Sequence, residues 1–261
     1  MPMPPPLERP TFYVPLAKPK VTRVILGVLL AMFFVQVVYG ILVYDSWMGF
    51  MGAGNIQPLV DLGAKVNEYI AQGEYWRLFT ATLLHGGIVH LMFNLYALFA
   101  IGPTLEAYLG WRRFLIIYLL GGLFGSLLSY AFSQSISVGA SGAIFGIFGA
   151  TGVYFFRYRD NFGAQGRAIL QNMIVVIVIN LAFGFTAGGI DNWGHIGGLL
   201  GGAFVALGLM PEYRPPAVVR GGAQPLEEVP RPRWEWAWVI FCTLLFVGGV
   251  MLVNLRYAAQ F

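Results

Sequence analysis

Val138-Gly139-Ala140-Ser141-Gly142-Ala143-Ile144-Phe145-Gly146 sets one hydroxyl among glycines and alanines, at the head of an apolar run that continues to Phe156. A second stretch, Asn192-Trp193-Gly194-His195-Ile196-Gly197-Gly198, likewise opens a long apolar segment. If both segments enter a membrane from the same side, the serine and the histidine lie at similar depth. A nucleophile and its base can then meet inside a bilayer.

The composition supports a membrane. The 261 residues are 57% hydrophobic and 11% charged, whereas a soluble domain carries roughly a quarter charged residues. The apolar residues come in blocks long enough for helices of about 20 residues, the length that crosses hydrocarbon. An all-α, polytopic membrane bundle is the fold class expected. The 34 glycines suit helices that must approach closely in lipid, where small residues at the contact replace the missing hydrophobic drive. A lone cysteine, Cys242, excludes an internal disulfide and a cysteine-based metal site, and no metal or cofactor is implied. The net charge of +4 does not indicate nucleic acid, because the basic residues sit in short connections rather than on one face.

Taken in order, residues 1–23 are proline-rich and basic and read as an N-terminal tail without a core. The first span is expected at 24–44; it is longer than a signal peptide's apolar region and lacks a small-residue cleavage site. Residues 45–75 form a long, mixed connection, partly interfacial, followed by Trp76-Arg77, an amphipathic pair suited to the headgroup level. Further spans are expected at 88–102, after a turn containing His85, and at 114–132, 139–156, 168–187 and 193–210. A hydrophilic linker, 211–233, leads to a seventh at 234–255. With the N-terminus inside, Arg9, Lys18, Lys20, Arg23, Arg112, Arg113, Arg157, Arg159, Arg167, Arg214, Arg220, Arg231 and Arg233 fall on the inner side, and Lys65, Arg77 and Arg256 on the outer. This asymmetry fits the positive-inside rule and an odd number of spans. It also places Ser141 and His195 just below the outer surface.

Ionisable groups in hydrocarbon are costly and usually face a cavity or a partner. His90 and Asn94, four residues apart in the second span, share one helical face at the depth of Ser141 and His195. Gly142, Gly146 and Ala150 form a small-residue stripe on one span; Gly194, Gly198 and Gly202 form another on the sixth. Pressed together, the stripes would carry Ser141 and His195 into hydrogen-bond reach. No Asp or Glu sits at matching depth on these two helices, and Asp191 reads as a surface loop residue, so a Ser-His dyad is expected rather than a triad. The backbone N–H of Ser141 at a helix N-terminus, with the side chains of His90 and Asn94, would serve a developing oxyanion. Simpler readings exist for each group. A membrane serine often bonds back to its own helix, an intramembrane histidine can relay protons, and His85 can simply shape its loop.

At these residues the chain resembles the rhomboid family of intramembrane serine proteases. The family's Gly-x-Ser-Gly motif stands as Gly139-Ala140-Ser141-Gly142, its His-x-x-x-Asn as His90-Leu91-Met92-Phe93-Asn94, its sixth-span motif as His195-Ile196-Gly197-Gly198 with Gly202, and its first-loop pair as Trp76-Arg77. The resemblance implies a six-span core over 24–210 and a peripheral seventh span in 234–261. It implies Ser141 as nucleophile, His195 as base and then acid, His90, Asn94 and the Ser141 amide as oxyanion donors, and Glu106 as a structural residue. Gly139, Phe145, Gly198, Trp76, Arg77 and His85 would support them. Phe145 departs from the tyrosine often found there; its ring can still pack on His195, but a hydroxyl is lost. The implied substrates are single-span membrane proteins, admitted between the second and fifth spans beneath a cap at 186–191, where Gly184, Gly188 and Gly189 permit bending.

The implied setting is a bacterial plasma membrane, with the N-terminus cytoplasmic and the active site opening outward. The lipid bilayer is the other partner, nucleic acid is not one, and no oligomeric state is assigned. Two other classes could use the same groups. A proton-coupled transporter would be expected to show inverted repeats or paired broken helices, which the sequence lacks. An inactive relative, binding membrane proteins for quality control, would have lost Ser141 or His195, and both are present.

Overall fold

Among the described residues, seven long helices carry the chain. A computed structural model describes residues 11–187, 189–219 and 221–258; Arg9, Gly188, Arg220 and the first ten residues of the tail lie outside them. The long helices are α1 (Val21–Tyr44), α5 (Ile88–Leu109), α6 (Trp111–Phe132), α7 (Ser141–Arg157), α8 (Arg159–Ala187), α9 (Asn192–Leu209) and α10 (Pro232–Ala258). Short helices α2 (Gln57–Asp61), α3 (Asn67–Ala71) and α4 (Arg77–Thr80) fold the connection between α1 and α5. Among the described residues, five helices are long and apolar enough to cross a membrane: α1, α5, α6, and the parts Gly166–Thr186 of α8 and Pro232–Tyr257 of α10. The other two, α7 and α9, are shorter, with 17 and 18 residues, and rich in glycine.

The second helix runs further than its expected end at residue 102, through Pro103 to Leu109. A proline is tolerated in such a helix because neighbouring helices can satisfy the backbone groups it frees. The extension carries Glu106 to the start of α1. There the carboxylate, fully buried, accepts from the N–H groups of Lys20 (2.7 Å), Val21 (2.7 Å) and Thr22 (2.8 Å) and from the Thr22 hydroxyl (2.7 Å). Helix α1 has no side-chain cap of its own. Its orphan amides and positive dipole end are met by a carboxylate from another helix.

Several expectations need correction. Residues 11–13 of the tail and parts of the linker form short strands. Strand β1 (Thr11–Tyr13) pairs in parallel with β3 (Ala223–Pro225), and β2 (Tyr213–Arg214) pairs antiparallel with β4 (Glu227–Glu228). The all-α class therefore holds for the bundle, with two small strand pairs added at its end. Helix α10 lies outside α6 and α9 and is largely exposed, yet it is not merely peripheral. Trp238 fills the space above Gly208 and donates from Nε1 to Val205 O at 3.1 Å, and the last turn of α10 joins a polar network described below. Gly184 lies within α8, which stays helical to Ala187, and Gly188 lies outside the described residues. A Cβ on Gly184 would fall 2.1 Å from Asn192 Oδ1, so the glycine lets Asn192 approach and donate to Leu181 O at 3.1 Å.

Candidate active site

Ser141 is the first residue of α7, and His195 lies in the first turns of α9. Their side chains meet, with 2.9 Å between Ser141 Oγ and His195 Nε2, within the range of a nucleophile and its base. Glycines make this possible. A Cβ on Gly198 would lie 2.0 Å from Gly142 O, and one on Gly202 would lie 2.3 Å from Gly146 Cα. The two stripes face each other at backbone contact. A third row, on α6, completes the arrangement: a Cβ on Gly121 would meet Gly146 Cα at 3.1 Å, and one on Gly125 would meet Gly194 O at 2.7 Å. The sequence reading missed this row, although the Gly121-x-x-x-Gly125 spacing carries the same signal.

The histidine is held by packing. Phe145, one turn below Ser141, lies parallel to the imidazole, with ring centroids 4.3 Å apart and planes 5° apart. His195 is buried, and its Nδ1 has no hydrogen-bond partner among the described residues. Stacking against an aromatic face, rather than a hydrogen bond at Nδ1, thus orients the ring. Asp191 is not a free surface residue. It caps α9, its Oδ1 accepting from Gly194 N at 3.0 Å, while its buried Oδ2 has no partner among the described residues.

On the other side of the serine, Gly139 brings His90 close. Its φ is +132°, and a Cβ would fall 2.7 Å from His90 Cε1, so only glycine suits this position on both counts. Gly139 N–H donates to Ala81 O at 2.9 Å. The Ser141 N–H, at the start of α7, belongs to the four amides that lack an intrahelical acceptor. Asn94 is buried, but its amide is turned to its own helix, donating to His90 O at 3.1 Å. His85 touches the group at one remove: its ring meets His90 edge-on, centroids 5.2 Å apart. Its main chain is fixed by Gln36 of α1, which donates to His85 O at 2.6 Å and accepts from His85 N at 3.0 Å.

Trp76 and Arg77 are not gathered into the site. Trp76 faces outward, but Arg77 is buried within the protein. Its guanidinium donates to Val60 O (2.6 Å), Ala64 O (3.2 Å) and the Glu74 carboxylate (2.7 Å), and it lies over the Tyr69 and Trp76 rings, 4.7 Å from each centroid. The planar, five-donor group matches this set of acceptors and locks the 45–75 connection.

Behind Ser141 and Gly142 lies a small polar cavity of about 30 Å³, bordered also by Lys65, Ser126, Ser129 and Asp191. Lys65 is 1% exposed, and its Nζ donates to Ser133 O (2.8 Å), Ser135 O (2.9 Å) and Ser129 O (3.4 Å). Burial pushes its pKa down to about 8, opposed by the nearby Asp191 and Glu68 carboxylates. Sequence reading passed over Lys65 as one basic residue of an outer loop. Among the described residues, no cluster of histidine, cysteine and carboxylate side chains could hold a metal ion.

This is a multi-pass helical membrane protein with a serine and a histidine in contact at the tops of two glycine-packed helices. The model of the rhomboid domain matches residues 72–212, and the chain belongs to the rhomboid family. It is 46% identical over 192 residues to rhomboid protease GluP of Bacillus subtilis (strain 168), covering 74% of this chain and 35% of that protein. It is 37% identical over 174 residues to RHOMBOID-like protein 5 of Arabidopsis thaliana, covering 62% and 56%. It is 42% identical over 155 residues to the mitochondrial RHOMBOID-like protein 6 of Arabidopsis thaliana, covering 59% and 50%. The chain thus spans about a third of the first relative and about half of the two plant proteins.

Proposed function

We propose that this chain is an intramembrane serine endopeptidase that cuts peptide bonds in the membrane segments of single-span proteins. The observation that carries this reading is the 2.9 Å contact of Ser141 Oγ with His195 Nε2; the relative named a rhomboid protease agrees with it. Ser141 Oγ attacks the scissile carbonyl carbon while His195 Nε2 takes the hydroxyl proton. The Ser141 N–H and the His90 ring stabilise the oxyanion, and Asn94 joins them once its amide leaves His90 O. His195 then returns the proton to the departing amine, leaving an ester on Ser141. A water molecule, deprotonated by His195, hydrolyses that ester, and the proton goes back to Ser141.

In this reading all seven long helices cross the bilayer, with the N-terminus cytoplasmic. Lys20, Glu106, Arg113 and Glu235 then lie at the inner end, and Ser141 and His195 lie near the outer face. The polar cavity behind Ser141 suits water at that depth. The substrate helix must unwind locally, because a helical peptide bond is shielded and its carbonyl already bonded. The test is reconstitution in liposomes with a single-span reporter whose membrane segment contains small and helix-breaking residues. Cleavage within that segment by the wild type and not by Ser141→Ala or His195→Ala is expected. A folded wild type that leaves several such reporters intact would sink the proposal.

A further inference from the structure

We propose that Lys65 and the last turn of α10 form a clamp that fixes the loop delivering Ser141. Lys65 is then a positioning residue for the nucleophile, and the seventh long helix a working part of the site; this role in catalysis rests on the protease reading above.

The loop in question, residues 133–140, joins the end of α6 to Ser141 and has almost no secondary structure of its own. Its main chain is held largely from outside. Lys65 and Ser137 exchange two backbone hydrogen bonds, Lys65 N to Ser137 O at 3.0 Å and Ser137 N to Lys65 O at 3.1 Å. The Lys65 ammonium reaches past this bridge to the carbonyls of Ser133 and Ser135 and to Ser129 in the last turn of α6. A cation at a helix C-terminus is favourable, since the last carbonyls lack intrahelical donors and form the negative dipole end. One side chain therefore ties the end of α6 to the start of the serine loop, and its own backbone ties the middle.

A second layer holds the first. Asn67, two residues after Lys65, donates to the same Ser133 carbonyl at 2.9 Å and to Tyr257 Oη at 2.6 Å. Tyr257, in the last turn of α10, stacks on Tyr130 with centroids 5.1 Å and planes 4° apart, and receives a bond from Gln134 Nε2 at 3.1 Å. One turn earlier on α10, Asn254 accepts from Tyr130 Oη at 2.5 Å and donates to Tyr75 Oη at 2.8 Å. Two residues of α10 thus grip both the end of α6 and the connection that carries Lys65. Each contact joins segments 60 or more residues apart in sequence. Such polar precision at the tip of a largely exposed helix is more than anchoring in lipid requires. Its consequence falls on Ser141, where misplacement by about 1 Å can cost on the order of 100-fold in rate.

The experiment uses the full chain in detergent or nanodiscs. It compares wild type with Lys65→Met and with the milder Tyr257→Phe, which removes the hydroxyl and keeps the stack on Tyr130. Amide hydrogen exchange of the peptide covering 133–140 is read beside that of α5 and α7, and kcat and KM are measured on a single-span reporter. Both variants are expected to exchange faster in 133–140 with α5 and α7 unchanged. Turnover is expected to fall about 10-fold or more in kcat with KM little altered, as for loss of nucleophile geometry alone. Unchanged exchange in Tyr257→Phe and Lys65→Met overturns the clamp, as does faster exchange with wild-type kcat. A wild type without turnover would instead sink the protease reading, and the exchange data would still decide whether the clamp exists.

Discussion

Gly198→Ala tests the packing that joins the serine to the histidine. The new Cβ would fall 2.0 Å from Gly142 O and 2.7 Å from Gly142 C. Carbon–oxygen contacts of this kind lie at about 3.3 Å or beyond, so α7 and α9 must part by roughly 1 Å. The obstacle is backbone on both sides, and no side chain can turn away. Ser141 and His195 sit on these two helices within a turn of the collision, so their 2.9 Å contact would stretch to about 4 Å, outside hydrogen-bond range. Overpacking of this size costs about 1–3 kcal/mol of stability, which a well-folded bundle survives. The expected loss of serine reactivity is larger, about 100-fold. The assay is the second-order rate of labelling by a fluorophosphonate probe in detergent, with thermal unfolding measured in parallel. Gly248→Ala is the control, since nothing lies within 4 Å of a Cβ there, and it should label like wild type. A folded Gly198→Ala protein labelled at the wild-type rate would refute the claim that this contact sets the Ser-His geometry.

Other outcomes follow from the same structure. Glu106→Gln replaces an acceptor of four bonds at the head of α1 with an amide whose nitrogen faces donors; thermal unfolding should show a loss of about 2–4 kcal/mol, and a shift under 0.5 kcal/mol would contradict the cap. Arg77→Lys should destabilise by about 2–3 kcal/mol, since an ammonium cannot match three acceptors and two aromatic faces at once; equal melting temperatures would speak against that role. Lys65 gives a pH dependence whose sign is fixed. Its folded pKa is depressed to about 8 from the ordinary 10.5, so between these values the unfolded chain binds more protons and stability rises with pH. Wild type minus Lys65→Met should therefore show stability increasing from pH 8 to 9.5, and a flat or falling difference would refute the burial argument.

The long helices and the meeting of α7 with α9 were legible because both depend on local pattern: apolar length, and small residues repeating every four positions. Ser141 and His195 stood out as polar groups heading apolar runs. What escaped depends on contacts across the chain. Lys65 looks like one charge in a long, mixed connection until the fold sets the end of α6 beside it. Asp191 looks like a loop carboxylate because helix capping is a matter of one or two residues at a boundary that apolar patterning places only loosely. The tip of α10 looked peripheral because Asn254 and Tyr257 bond to partners more than 100 residues away. Helical spacing puts Asn94 one turn after His90, but the hydrogen bond its amide makes to the His90 carbonyl was not readable from spacing.

The most direct test of the central claim is to locate the reactive serine. The full chain in detergent is treated with a fluorophosphonate probe and digested, and the modified peptide is identified by mass spectrometry. The account predicts one adduct, on Ser141, absent in Ser141→Ala and reduced at least about 100-fold in His195→Ala, whose serine has lost its base. A folded wild type without the adduct, an adduct on another serine, or equal labelling in His195→Ala would contradict it.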